Sequence, residues 1–269
     1  MKKRVFKDLQ HARLATGRSL CVGLDPVLDK MPKSIQGLGI MAALVRFCCS
    51  IVDETSEYVA TFKPNIAFFE AYGGEGFDAL KRVIAHIHAT VPEVPVIVDA
   101  KRGDIGNTNL AYIWGLFDTM RADAVTLHPY LGREAMQPFL DLKNKGCIFL
   151  AKTSNPGAGE FQDLVQPSGL PLWLHIAKAV ETEWNENHNC GLVLGATFPD
   201  DIQLARNVLG DGIFKLVPGL GTQEGDLSAT VKVAGKNAIF NVARDIIFAE
   251  SPGERARWYA EQLRMARTV

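Results

Sequence analysis

Eight short apolar runs are spaced along the chain, and a segment of helical length separates each run from the next. The runs lie at residues 19–25, 58–64, 94–101, 123–129, 146–154, 190–197, 213–219 and 237–243. Each run is nearly continuous in Val, Ile, Leu and Phe and does not alternate with polar residues. Such runs are typical of parallel strands that are covered on both faces.

Segments with apolar residues at helical spacing fill the intervals between these runs. They span residues 39–56, 76–91, 106–121, 132–145, 171–188, 200–209, 226–235 and 253–267. Eight strands that alternate with helices, after one helix at the N-terminus, predict a (β/α)₈ TIM barrel with an extra N-terminal helix. A doubly wound open sheet is the alternative that this pattern leaves open. No linker or composition break divides the sequence, so residues 1–269 are predicted to form a single barrel domain.

The composition limits the partners that the chain can have. Its formal net charge is −1, which gives no support to a nucleic acid or an anionic membrane as partner. No run approaches the ~18 apolar residues of a membrane span, and the basic N-terminus lacks the apolar core of a signal peptide. The cysteines are predicted to be free thiols in a reducing compartment, the cytoplasm. They are Cys21, Cys48, Cys49, Cys147 and Cys190.

Two connections between the predicted strands and helices are long. Residues 26–39 follow the first strand, and residues 155–171 follow the fifth strand. In a barrel, both connections lie at the carboxyl end of the strands. Long connections in compact domains are often lids or binding loops, and we expect that role for these two.

Polar residues stand where the apolar runs end, which is where TIM barrels carry their catalytic groups. They are Asp25, Lys63, Asp99, Lys101, His128, Ser154, Gln223 and Arg244. The densest group lies in "VIVDAKRGDIGNT", in which Asp99 and Lys101 are two positions apart and so project to the same side of a strand. Together with Lys63 and Asp104 they make two cations and two anions.

This neutral set has a structural and a catalytic interpretation. It could close the barrel mouth as static ion pairs, since a desolvated charge requires a partner. Lysine favours the catalytic interpretation, because it can release a proton, whereas arginine makes the better static pair. The other strand-end residues also have structural interpretations. Asp25 and Ser154 could be turn residues, and Lys63 could extend its ammonium group from the barrel edge into solvent. His128 could be a hydrogen-bonded histidine of the core or the barrel rim.

A glycine-rich segment follows the seventh predicted strand, and Arg244 ends the eighth. Gly219 and Gly221 in "VPGLGTQEGD" would let backbone N–H groups approach an anion closely. TIM barrels often bind phosphate between these two strands, and Arg244 would add charge-assisted hydrogen bonds. The sequence therefore predicts a phosphate site. Metal binding is not favoured, because no H-x-x-x-H motif or Cys/His cluster occurs and lysines already accompany the carboxylates.

The segment "DAKRGDIGNT" resembles the D-x-K-x-x-D signature of the orotidine 5′-phosphate decarboxylases, in particular the longer-chain bacterial type (type 2). "GLDP", "FKPN", "TSNPG", "VPGLG" and "ARD" occur in the expected order, so that the resemblance covers residues 20–245. It implies a homodimer with shared active sites that converts orotidine 5′-phosphate to uridine 5′-phosphate and CO₂, the last step of de novo pyrimidine biosynthesis. It implies no metal and no cofactor.

The resemblance also implies roles for individual residues. The catalytic group is a network of charged side chains in which Lys101 protonates carbon C6 of the pyrimidine. Lys63, Asp99 and Lys101 come from one subunit, and Asp104 comes from the partner subunit. Asp25 and Lys63 bind the ribose, together with Thr108 of the partner subunit. Ser154 binds the pyrimidine. The phosphate is bound by Gly219, Gly221, Gln223 and Arg244.

Two other functions remain open at this point. D-x-K-x-x-D is shared with sugar-phosphate decarboxylases of the same superfamily, so a Mg²⁺-dependent decarboxylase or aldolase is one alternative. A non-catalytic barrel that binds nucleotide phosphate is the other. The two lysines interleaved with acids argue against a pure binding protein, because binding alone does not require a proton donor.

Overall fold

The computed structural model describes residues 4–220 and 227–268, and its eight strands form one parallel sheet. The strands are β1 (Leu20–Leu24), β2 (Val59–Pro64), β3 (Ile97–Arg102), β4 (Ala124–Leu127), β5 (Gly146–Lys152), β6 (Cys190–Leu194), β7 (Phe214–Pro218) and β8 (Ala238–Val242). Their order in the sheet is β2-β1-β8-β7-β6-β5-β4-β3. Parallel bridges Phe62–Val96 and Asn65–Asp99 join the two ends of this order. The sheet therefore closes into a barrel, and the prediction of a TIM barrel is confirmed.

Helices follow the strands around the outside of the barrel. The longer helices are α1 (Phe6–Ala15), α3 (Ile40–Thr55), α5 (Gly73–Thr90), α6 (Gly106–Ile113), α7 (Gly132–Leu140), α9 (Leu172–Ala179), α10 (Pro199–Leu209), α11 (Leu227–Ala234) and α13 (Pro252–Thr268). Four one-turn helices lie in the connections: α2 (Lys33–Gln36), α4 (Ala67–Glu70), α8 (Gly159–Gln162) and α12 (Arg244–Ile247). Short 3₁₀ turns occupy Leu28–Lys30 and Pro156–Ala158.

Three predicted helices differ from the observed ones. The segments predicted at 106–121 and 171–188 each continue into a π-helical turn, at Trp114–Thr119 and Val180–Trp184. The helix predicted at 132–145 ends at Leu140, because the following residues turn back to begin β5. Apolar spacing locates a helix, but it does not distinguish an α-turn from a π-turn.

The N-terminal helix α1 closes the amino-terminal end of the barrel. The Phe6 ring packs edge-on against Phe214, with 5.7 Å between the ring centroids. A Cβ atom at Gly146 would lie 2.4 Å from the Phe6 ring, so only glycine fits there. The rest of the barrel interior is small or aliphatic: Cys21, Ala60, Ile97, Ala124, Ile148, Val193, Leu216 and Ile239. An apolar floor therefore leaves the carboxyl ends of the strands as the polar mouth.

The outer surface carries no membrane-crossing segment in the part of the chain that the structure describes. No helix there is both long enough and apolar enough to span a bilayer. The five cysteines are free thiols, and all of them except Cys49 are buried.

Candidate active site

A cavity of about 320 Å³ opens at the carboxyl end of the barrel. Its volume lies in the usual range of small-molecule sites. The predicted site residues that line it are Asp25, Lys63, Asp99, Ser154, Gly219 and Arg244. A larger cavity of about 870 Å³ lies at the opposite end, beside α1, α10, α11 and α13, and none of the predicted site residues lines it. The smaller cavity is therefore the candidate active site.

Two lysines hold the carboxylate of Asp99 between them. Lys63 Nζ lies 3.0 Å from Asp99 Oδ2, and Lys101 Nζ lies 2.6 Å from Asp99 Oδ1. The side chains of Lys63 and Asp99 are only 5% and 13% exposed, whereas that of Lys101 is 50% exposed. Lys63 is thus the buried cation of this Lys–Asp–Lys cluster, and Lys101 is the exposed cation, which contacts Asp99 but does not itself line the cavity.

The electrostatics of the cluster favour the fully ionised state. Burial opposes ionisation of Asp99 most strongly, but the ammonium groups of Lys63 and Lys101 together outweigh it and lower its pKa. Burial also opposes the charge on Lys63, and the carboxylates of Asp99 and Asp25 outweigh it and raise the pKa of Lys63. The carboxylate of Asp99 thus stabilises both ammonium groups and is stabilised by them, most strongly at the buried Lys63 pair.

The backbone of β3 departs from regular strand geometry next to the cluster. Its register with β4 shifts between Val98 and Arg102, and Lys101 has a φ of +46°, in the left-handed region that non-glycine residues rarely adopt. The two-residue alternation expected from the sequence is therefore interrupted. The side chains of Asp99 and Lys101 nevertheless meet, through this bulge.

Asp25 carries a buried oxygen with no partner. Its Oδ1 accepts no hydrogen bond from the described part of the chain. Burial raises the pKa of this carboxyl, and Lys63 counteracts that effect only in part. A buried acceptor without a donor is costly, so this atom is suited to a hydroxyl group of a ligand.

The predicted phosphate residues lie at the ends of β7 and β8. Gly219 has a φ of +103°, which glycine adopts without strain, and Arg244 is the first residue of α12. Both line the cavity, together with Ser154 from the end of β5. Gly221 and Gln223 lie outside the described residues.

Asp104 and Thr108 are not brought into the cavity of their own chain. Asp104 Oδ1 accepts a hydrogen bond from the backbone N–H of Ile105 at 2.7 Å, and across residues 4–220 and 227–267 its carboxylate makes no ion pair. Thr108 is exposed near the start of α6. The neutral set of four charges therefore does not form within one chain.

Comparison with known proteins decides the family. A model of the orotidine 5′-phosphate decarboxylase / HUMPS family matches residues 18–259. The chain belongs to this family. The family resemblance inferred from the D-x-K-x-x-D motif is thus confirmed.

Individual relatives match almost the whole chain. The orotidine 5′-phosphate decarboxylase of Herpetosiphon aurantiacus is 43% identical over 261 residues, which cover 96% of this chain and 96% of the relative. That of Aromatoleum aromaticum is 46% identical over 235 residues, covering 86% and 84%. The solved structure of Leishmania donovani OMP decarboxylase is 36% identical, with a TM-score of 0.87, and the match covers 98% of this chain and 99% of that one.

Sequence reasoning missed four polar residues at this site, and one of them is Asp245, which lines the cavity. Asn65 and Asn241 line the cavity, and Thr126 donates a hydrogen bond to Asp99 Oδ1 at 2.8 Å. Asn65 in "FKPN" and Asn241 in "NVARD" carry the same signal as the residues that were selected, a polar side chain near a strand end. Thr126 had a weaker signal, one hydroxyl within the apolar run of β4.

A second ionic cluster fixes the long 155–171 connection. Lys152 is buried at the end of β5, where it pairs with Asp163, and its Nζ lies 3.6 Å from Asp201 Oδ2. Its ammonium group also lies 4.8 Å from the centroid of the Phe198 ring. This cluster ties α8 to the barrel beside the mouth.

His128 has a structural role in the turn after β3. His128 Nε2 donates to the carbonyl oxygen of Gly103 at 2.9 Å, which anchors the turn after β3. Within the described ranges, no group of three His, Cys, Asp or Glu side chains is placed to hold a metal ion.

Proposed function

We propose that this chain decarboxylates orotidine 5′-phosphate to uridine 5′-phosphate and CO₂, the last step of de novo pyrimidine biosynthesis, without a metal or cofactor. The observation that carries the proposal is the Lys–Asp–Lys cluster, in which Lys101 Nζ lies 2.6 Å from the carboxylate of Asp99, a residue that lines the cavity. Family membership supports the same reaction. A cytoplasmic location is also part of the proposal, supported by the free thiols.

The cavity offers a place for each part of the substrate. The phosphate would bind Gly219 and Arg244 at the ends of β7 and β8, with Gly221 and Gln223 proposed as further contacts. A ribose hydroxyl would donate to the unpartnered Oδ1 of Asp25. The pyrimidine would then lie near Ser154, with its carboxylate towards Asp99.

The chemical step requires stabilisation of an electron pair on C6. The bond from C6 to the carboxylate carbon breaks, CO₂ leaves, and the electron pair stays on C6. The ammonium of Lys101 stabilises this charge and then gives its proton to C6, after which water reprotonates the lysine. The two lysines keep Asp99 ionised. Its negative charge repels the neighbouring carboxylate of the bound substrate and so favours the loss of that carboxylate as neutral CO₂.

The test of this function is to follow the absorbance of the orotate ring while the enzyme acts in the presence of a chelator. We expect full conversion at a rate that the chelator does not change. A rate that EDTA abolishes and Mg²⁺ restores would overturn the metal-free mechanism, and an unchanged orotate absorbance with Mg²⁺-dependent turnover of a sugar phosphate would support the sugar-phosphate decarboxylase or aldolase. Nucleotide binding with no change in absorbance would support the non-catalytic barrel.

We also propose that two copies of the chain, each one barrel domain of residues 1–269, form a homodimer that shares its active sites. Ile105, Leu110 and Trp114 are each more than half exposed at and around α6. Large apolar side chains grouped on a surface are typical of protein interfaces. Asp104 and Thr108 lie on the same stretch, so a partner docked on this face would receive both of them near its own mouth.

Mixing two inactive variants tests this sharing of sites. Asp104→Ala removes the group that a subunit contributes to its partner's active site. Lys63→Ala removes a group that a subunit contributes to its own active site. A heterodimer of the two has one site with both defects and one site with neither, so we expect up to about half of the wild-type activity per heterodimer. Turnover of the purified heterodimer measures this.

The matched control is a mixture of Asp99→Ala and Lys63→Ala. Both residues belong to the cluster within one chain, so no site of that heterodimer is intact and no activity should return. If the verified heterodimer of the Asp104 and Lys63 variants is also inactive, the sites are not shared.

A further inference from the structure

We infer that Thr126 is a positioning residue for the proposed decarboxylation: its hydroxyl sets the carboxylate of Asp99 and the backbone of Lys101 in their reactive arrangement. The inference rests on the proposed function. Thr126 lies on β4, is buried, and does not line the cavity. It therefore acts through Asp99 and Lys101, two of the residues that its hydroxyl contacts, without contact to substrate.

The hydroxyl of Thr126 makes three hydrogen bonds. Its Oγ1 donates to Asp99 Oδ1 at 2.8 Å. The same oxygen accepts from the backbone N–H groups of Ala100 and Lys101, each at 3.0 Å. A threonine hydroxyl has one proton to give and two lone pairs to accept with, so its capacity is completely used.

This saturation fixes the direction of the hydroxyl proton. Because two N–H groups occupy both lone pairs of Oγ1, the proton cannot rotate away and is directed at Asp99 Oδ1. Asp99 Oδ1 is also the atom that Lys101 Nζ contacts at 2.6 Å. The hydroxyl thus fixes the carboxylate oxygen on which the proposed proton donor rests.

The same hydroxyl holds an unfavourable backbone conformation. Lys101 has a φ of +46°, which costs a non-glycine residue free energy unless its surroundings enforce it. The bond from its N–H to Thr126 lies within the register shift between β3 and β4. Loss of this acceptor would let the bulge relax and move the ammonium of Lys101 away from C6.

The experiment compares kcat and KM of Thr126→Val and Thr126→Ser with those of the wild-type enzyme. Valine keeps the shape but removes the hydroxyl, so we expect kcat to fall roughly 10- to 100-fold while KM changes less than about threefold. Serine keeps one donor and two acceptors, so its kcat should stay within about threefold of wild type. Thr126→Ala provides the same comparison if the valine variant does not fold.

Thr61→Val is the matched control. Thr61 is a buried threonine on β2, which lies on the other side of β3 from β4, and its hydroxyl donates to the carbonyl of Pro95 at 2.7 Å. We expect it to lower the melting temperature about as much as Thr126→Val does, with kcat unchanged.

The outcomes separate this inference from the proposed function. An inactive wild-type enzyme would overturn both. An active wild-type enzyme whose Thr126→Val variant keeps its kcat would overturn only the positioning role. So would equal losses of kcat in Thr126→Val and Thr61→Val, since a merely structural effect explains that result.

Discussion

Replacing Lys101 with alanine is expected to lower kcat for orotidine 5′-phosphate roughly 10⁴-fold or more, because general-acid and electrostatic contributions are lost together. The barrel should stay folded. Asp99 would keep Lys63 at 3.0 Å and the hydroxyl of Thr126 at 2.8 Å, so no buried carboxylate is left without partners. The lost ion pair is half exposed on the lysine side, and such pairs contribute about 0–1 kcal/mol. Absorbance assays and thermal unfolding measure the two effects separately.

Lys101→Arg separates charge from proton transfer. Arginine keeps a cation near Asp99, but it does not release a proton at neutral pH. We therefore expect its kcat to remain far below that of the wild-type enzyme. Lys143→Ala removes an exposed lysine away from the mouth and should change neither activity nor stability. Wild-type turnover by Lys101→Ala would refute the proton-donor role, and wild-type turnover by Lys101→Arg would leave only an electrostatic one.

The barrel was predictable because parallel strands that are covered on both faces produce continuous apolar runs. All eight strands of the structure lie within or overlap the predicted runs, as β4 (Ala124–Leu127) lies within 123–129. The mouth was predictable for a related reason. Each run ends where the barrel opens to water, so polar residues such as Asp25 and Lys63 follow the apolar ones there.

The details that escaped prediction depend on contacts between distant segments. The positive φ of Lys101 is held by Thr126, which lies 25 residues further along the chain. The pairing of Lys152 with Asp201 joins β5 to α10. Local spacing contains no information about such partners.

Asp99→Asn is expected to remove most activity and also to destabilise the fold by about 3 kcal/mol at pH 7, because it leaves the buried ammonium of Lys63 without its nearest carboxylate. In the wild-type protein the pKa of Lys63 is raised, so its contribution to stability is complete below its ordinary pKa of ~10.4 and is lost only above it. In the variant, burial dominates and lowers that pKa, with Asp25 as a partial counter-charge.

The pH dependence of unfolding tests this account. A lowered lysine pKa means that the unfolded variant binds more protons than the folded one, so the stability of the variant rises with pH. The difference in unfolding free energy between wild type and variant should therefore narrow from pH 7 to pH 10, as urea titrations would measure. Adding Lys63→Met to Asp99→Asn removes the unpaired charge and should restore stability at pH 7 without restoring activity. A difference that does not change with pH would show that Lys63 does not depend on Asp99 for its charge.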